Sequence, residues 1–309
     1  MRVRRGIARA YPFLGALSLA CAGSSWAQAP TEAPRPVTFT VTTVSGEGAP
    51  AISKDDVQVF LGNERRPVAG WAENDNLHLA ILIDDTIARG AADNWNDLRQ
   101  FIMALPATTH VAVGYLRFGV ATLAQDFTTD HEAAGRALRA PMGAAGSSSS
   151  PYVATMDLLR RWPKAGERRS ILLISTGVDF FAGRHQGPIL PDVDPLIRRA
   201  QVQNTNIWAV FYPGGGHRAR NFTHVLNGQE NLARLAEATG GLLFALGPGV
   251  PASLKPHFDE IAAHLSRQHL LTFMAVRGEK GRHVDVNVRT EVPDAELLAP
   301  SAVFLPAAK

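Results

Sequence analysis

The chain has 309 residues, 46% of them hydrophobic and 19% charged, with a single cysteine. That composition excludes a disordered polar chain and a disulfide-framed one, and it is long enough for one large domain or two small ones. Taking the four arginines and no acids of residues 1–27 away from the formal charge of +3 leaves about −1, so the high pI is no argument for nucleic-acid binding.

Arg2, Arg4, Arg5 and Arg9 precede a moderately apolar stretch from Tyr11 to Ala22. "GSSWAQA" then places Ser25 and Ala27 at the small-residue positions before a cut. That order predicts a secretory signal peptide over 1–27, a mature chain starting at Gln28, and a secreted or periplasmic location. Cys21 would leave with the leader, and Ser18-Leu19-Ala20 fits a lipoprotein signal poorly. The Arg4-Arg5 pair leaves Sec and Tat export both open. Nothing later has the apolar run of a transmembrane helix.

A Pro-rich linker over 28–36 leads into a β segment, 37–73. "VTFTVTTV" (Val37 to Val44) is rich in β-branched residues, and "DDVQVFLG" (Asp55 to Gly62) alternates. From 74 to 267 strand-like and helical runs alternate. The strands expected are Leu77–Ile83, His110–Phe118, Ser170–Ser175, Ile207–Tyr212 and Leu242–Leu246, nearly continuous in apolar residues. Ala121–Phe127 follows Phe118 too closely for a crossover and predicts an antiparallel edge strand. Between the strands, Asp93, Thr129 with Glu132, Ser150-Pro151 and Asp194-Pro195 are helix-start signals, and Gly240 is a stop. Residues 268–309 return to β with "HLLTFMAV", "HVDVNVRT" and "SAVFLP". The fold class expected is α/β: a doubly wound, mostly parallel sheet with helices on both faces. It is flanked by two β segments that meet in one layer beside it.

Ligands of an open parallel sheet sit beyond the carboxyl ends of its strands. Three polar segments reach that edge: Asp84-Asp85-Thr86, "GAAGSSSSP" (Gly143 to Pro151) and "STGVD" (Ser175 to Asp179). With "RLAEATGGLLF", "FDEIAAHLSRQHLLTF" and "HVDVNVRT", this order resembles the von Willebrand factor type A (VWA) domain, especially the secreted bacterial VWFA-related subfamily. The resemblance covers most of the mature chain. It implies a metal-ion-dependent adhesion site built from Asp-x-Ser-x-Ser, a second-loop Thr and a third-loop Asp. Carried over, these fall on Asp84, Thr86, Ala88, Ser150 (or Ser149) and Thr176. Ala88 has no oxygen to give and Thr176 no carboxylate, so the site implied is degenerate, with Mg²⁺ or another divalent cation doubtful. Asp85 or Asp179 are the acids from which such a site would be rebuilt.

Two long loops at the same edge, Gly177–Asp194 and Pro213–Gly228, carry Phe180, Phe181, Arg184, His185, His217, Arg218, Arg220 and Phe222. Arginines and aromatic residues suit a partner-binding surface, and solvated loops explain them as well. The glycines of "FYPGGGHRARN" lack a dinucleotide fingerprint, no zinc spacing joins the histidines, and no nucleophile elbow occurs. The function expected is a non-enzymatic, exported module that binds a protein and no nucleic acid and holds no cofactor. The alternatives are a metal-dependent adhesin with a rebuilt site and an extracytoplasmic enzyme using loop histidines such as His217 and His224.

Overall fold

Strands buried on both faces and helices buried on one dictate the layers of this chain, seen here in a computed structural model. It describes residues 33–46, 50–73, 76–143, 149–162, 168–181, 188–212, 222–246 and 252–308. Residues 1–27, expected to be a leader, and most of the expected linker lie outside these. The described residues belong to one compact unit, Ala33–Lys309.

The chain opens with β1 (Arg35–Ser45), β2 (Val57–Leu61), β3 (Glu64–Arg66) and β4 (Val68–Glu73). The α/β part follows as β5 (Leu77–Asp84), α1 (Trp95–Ala104), β6 (His110–Arg117), β7 (Val120–Thr128), α2 (His131–Arg136), α3 (Pro151–Arg161), β8 (Arg168–Ser175), α4 (Val193–Val202), β9 (Thr205–Phe211), α5 (Phe222–Ala238), β10 (Leu243–Ala245) and α6 (Lys255–Ser266). It closes with β11 (Gln268–Ala275), β12 (Arg282–Thr290), β13 (Ala295–Leu298) and β14 (Ala302–Leu305).

The α/β part is a six-stranded sheet in the order β10-β9-β8-β5-β6-β7. All its pairs are parallel except β6–β7, the antiparallel edge. Every residue of β5, β8 and β9 is buried. Successive residues of β5 serve opposite faces, as a pleated strand requires. Leu77, Leu79, Ile81 and Ile83 pack with Trp95 and Leu98 of α1 and Phe258 and Ile261 of α6. Ala80 and Leu82 pack with Tyr152 and Leu158 of α3, Leu196 of α4 and Leu232 of α5. Helices therefore cover both faces, and the fold is the doubly wound α/β class.

The terminal β segments interleave in two sheets rather than one layer. One has the order β13-β1-β11-β4 and the other β14-β12-β2-β3. Val37, Phe39 and Phe273 of the first share a core with Val57, Val59, Val286 and Val303 of the second. Alternation along each strand supplies one apolar face per sheet, and two such faces must close on each other.

Some helix starts differ from expectation. Asp130, not Thr129, caps α2, accepting from Ala133 N at 2.9 Å. A 3-10 turn, Arg89–Asn94, leads into α1 and takes in Asp93, while α4 begins before Asp194-Pro195, at Val193. Ser150 caps α3, with Pro151 in its first turn.

Candidate functional site

The chain leaves β5 for β6 on one side and later returns as β8 on the other. Between β5 and β8 the direction of winding reverses, which is where an open sheet of this class offers a crevice. Two polar side chains meet across that point. In register, Ile83 lies beside Ile174, so Asp84 and Ser175 are the next pair along. Asp84 is 1% exposed. Its Oδ2 accepts from Ser175 Oγ at 2.7 Å. Its Oδ1 accepts from Thr86 Oγ1 at 2.7 Å and from Thr86 N at 3.0 Å. Burial pushes the Asp84 carboxyl above its ordinary range, against the pull of these donors; the neighbouring Asp85 adds to the rise. A carboxylate taken from water needs such donors, and Ser175 and Thr86 supply them.

The other loops are tied to the same pair. Ser175 Oγ also accepts from Gly177 N at 3.0 Å. Gly177 O accepts from the Tyr152 hydroxyl of α3 at 2.8 Å. Burial, then the charges of Asp179 and Asp84, hold that phenol well above its usual range, so it stays a neutral donor. Ser149 O accepts from Phe180 N at 2.8 Å. Gly177 has φ +67°, and a Cβ there would stand 2.3 Å from Gly228 O, so the loop lies directly on α5.

The residues singled out in the sequence divide accordingly. Asp84 and Thr86 are bonded to each other. Ser150 Oγ accepts from Val153 N as the α3 cap. Thr176 Oγ1 accepts from Val178 N at 3.2 Å, and Asp179 Oδ1 from Phe181 N at 2.8 Å, both local turns. Asp85 serves another purpose. Arg139 grips it with two bonds, at 2.8 and 3.0 Å, and Met142 N donates to it at 2.9 Å. Phe181 is exposed at the loop edge. Arg184, His185, His217, Arg218 and Arg220 lie outside the described residues, while Phe222 opens α5 and His224 follows in it. In the sequence, Ser175 stands only as the first residue of the third polar segment, with no role assigned to it. The register of β5 against β8 is what brings it to Asp84.

A hard divalent ion asks for about six oxygens in near-octahedral array and gives up water reluctantly. The donors here do not fit one. Both oxygens of Asp84 accept from hydroxyls, the hydroxyls of Ser150 and Thr176 each accept a backbone N–H, and Ala88 brings none. Among the described residues no group of three or more His, Cys, Asp or Glu is placed to hold a metal. Among them, too, no helix is long and apolar enough to cross a membrane.

The fold and the crevice define a doubly wound α/β protein with a polar switch point. Several solved structures are similar to it. BatB from Bacteroides thetaiotaomicron is 12% identical over 62% of this chain and 97% of that one, with a TM-score of 0.44. A von Willebrand factor type A protein from Catenulispora acidiphila is 12% identical over 91% and 76%, with a TM-score of 0.42. The ArnB paralog VWA2 from Sulfolobus acidocaldarius is 10% identical over 90% and 76%, with a TM-score of 0.39. No family model matches the sequence, and no curated protein matches it either.

Proposed function

We propose that this chain is an exported, non-enzymatic interaction module of the VWA type in which a hydrogen-bonded latch stands in place of the metal ion. The observation that carries the reading is the Asp84–Ser175 bond of 2.7 Å across the switch point. In the family it resembles, an ion would draw the first and third loops together. Here a hydroxyl from β8 and another from Thr86 satisfy the only acid of the motif, and Tyr152 fastens the second loop to the third. The loops are thus held for contact without a cation. The order of charged, apolar and small residues before Ala27 supports export. Of the two acids from which a metal site could be rebuilt, Asp85 is engaged by Arg139 and Asp179 Oδ1 accepts from Phe181 N.

Isothermal titration of the purified chain with Mg²⁺, Mn²⁺ and Ca²⁺ tests the reading. No saturable heat is expected. Binding of any of these at one site, abolished by Asp84→Ala, would overturn it.

A further inference from the structure

The tip of the β6–β7 hairpin is built against its own propensities. Phe118 and Gly119 join the strands with φ of +52° and +73°. Two successive left-handed residues suit the twist of a hairpin, and asparagine, aspartate or glycine takes the first place with least strain. A bulky phenylalanine there is a genuine outlier. Burial does not explain it, because the residue is 58% exposed. Strain that neither backbone nor core requires points to a surface role.

Phe118 has company. Val120, Met142 and Phe181 are 48%, 50% and 45% exposed. They are linked through their neighbours Arg117 and Gly119, and Val120 pairs with Arg117 at the base of the turn. The Phe181 ring lies against Gly119, with Cε2 2.7 Å from where a Cβ would stand. The Arg117 guanidinium is 4.9 Å from the centre of the Phe118 ring and touches Met142 Sδ. Exposed apolar residues scattered singly are ordinary; a contiguous group is a contact surface.

Its rim is positive. Arg139 and Arg117 lie at 2.8 and 3.8 Å from Asp85, which is buried beneath them. Arg89 donates to Met142 O at 2.9 Å. Arg139 and Arg117 over Asp85 leave one positive charge in excess, and Arg89 at Met142 O adds a second on the Met142 side of the tip. A nucleic acid asks for many cations and little apolar surface. A protein segment with acids flanking an apolar anchor matches what is present.

We propose that the hairpin tip and Met142 form a docking surface for an acidic segment of a partner protein bearing an aromatic or aliphatic anchor. The proposal rests on reading the chain as an interaction module. The anchor lies on Phe118, Val120 and Phe181, and the segment's carboxylates accept from Arg89 and Arg117. Aromatic and arginine side chains concentrate binding energy, and charge complementarity orients the encounter.

A random-peptide display library panned on the immobilised full chain tests this. Peptides joining Asp or Glu to an aromatic or aliphatic residue are expected to be enriched. The best of them should bind Phe118→Asn and Arg89→Glu about tenfold more weakly, the size of one lost anchor contact. It should bind Val276→Ser, a distant exposed position, as it binds the native chain. Phe118→Asn should melt at or above the native temperature, because asparagine accepts the left-handed turn; that separates lost contact from lost folding. Enrichment of basic peptides, no enrichment, or affinity unchanged in both variants overturns the proposal, as does a lower melting temperature for Phe118→Asn. The two readings fail separately. Failed selection with no metal heat removes this surface alone, and metal binding with selection intact removes only the metal-free reading.

Discussion

Gly228→Ala sets two physical effects of opposite sign against each other. Gly228 lies in α5, where alanine is more favourable than glycine by about 1 kcal/mol. Propensity alone therefore predicts a more stable protein. Packing predicts the reverse. A Cβ on Gly228 would stand 2.5 Å from Thr176 O and 3.1 Å from Gly177 C, both backbone atoms that cannot rotate aside. The loop they belong to is fixed by the Ser175 and Tyr152 bonds, so it cannot easily retreat. Overfilling a packed contact costs about 1–3 kcal/mol, and an unyielding backbone places this case near 3. Less the helix gain of about 1, the net loss is about 2 kcal/mol. For a domain of this size that is a fall of about 4–8 °C in melting temperature. Thermal melting followed by circular dichroism reads it directly. A variant that melts above the native chain would refute the close approach of the third loop to α5.

Ser175→Ala removes the donor to Asp84 Oδ2 and an acceptor for Gly177 N, and should cost about 1–3 kcal/mol. Burial raises the folded-state pKa of Asp84, so its contribution to stability is fully present below the unfolded value and is lost as pH rises through the folded one. Ser175 opposes that loss by favouring the charged form. The deficit of Ser175→Ala in urea unfolding should therefore be largest at neutral pH and shrink on acidification; a deficit that grows would contradict the assignment. His78 provides the opposite sign. Its ring stacks on His110 at 4.5 Å, and burial, then His110 and Arg169, hold its pKa below the ordinary value. Neutral His78 thus contributes stability above about pH 6.5 that is lost as pH falls through the folded pKa. The urea midpoint should drop between pH 7 and pH 5, and drop less in His78→Phe; equal drops would place the effect elsewhere.

The parallel strands were legible because burial on both faces leaves a nearly unbroken apolar run, as in Leu77 to Ile83 and Ser170 to Ser175. The antiparallel edge followed from chain length alone, since Phe118-Gly119 leaves no room for a crossover. The division of the terminal strands between two sheets was not legible. Alternation shows that β1 and β2 each have an apolar face but not which strand lies beside each. At the site, Asp84 declared itself as an acid ending an apolar strand. Ser175 did not, because a motif carried over by position selects Thr176, one residue further along. Successive residues of a strand face opposite ways, so one position decides which hydroxyl meets the acid. The pairing register that settles this is a long-range property. The apolar tip at Phe118 was likewise hidden, since neither φ nor exposure can be read from a strand end.

Hydrogen bonds, not an ion, are proposed to hold the loops at the switch point. The most direct test is the melting temperature in millimolar Mg²⁺ against chelator, for the native chain and for Ala88→Ser with Thr176→Asp, which restores the missing hydroxyl and carboxylate. An ion bound only to the folded state adds RT ln(1 + [L]/Kd), about 2.7 kcal/mol at a hundredfold excess over Kd. In a domain of this size that is a rise of about 5–10 °C. The native chain should show no shift and the double variant a clear one. A native shift in Mg²⁺ that disappears in Asp84→Ala would contradict the account.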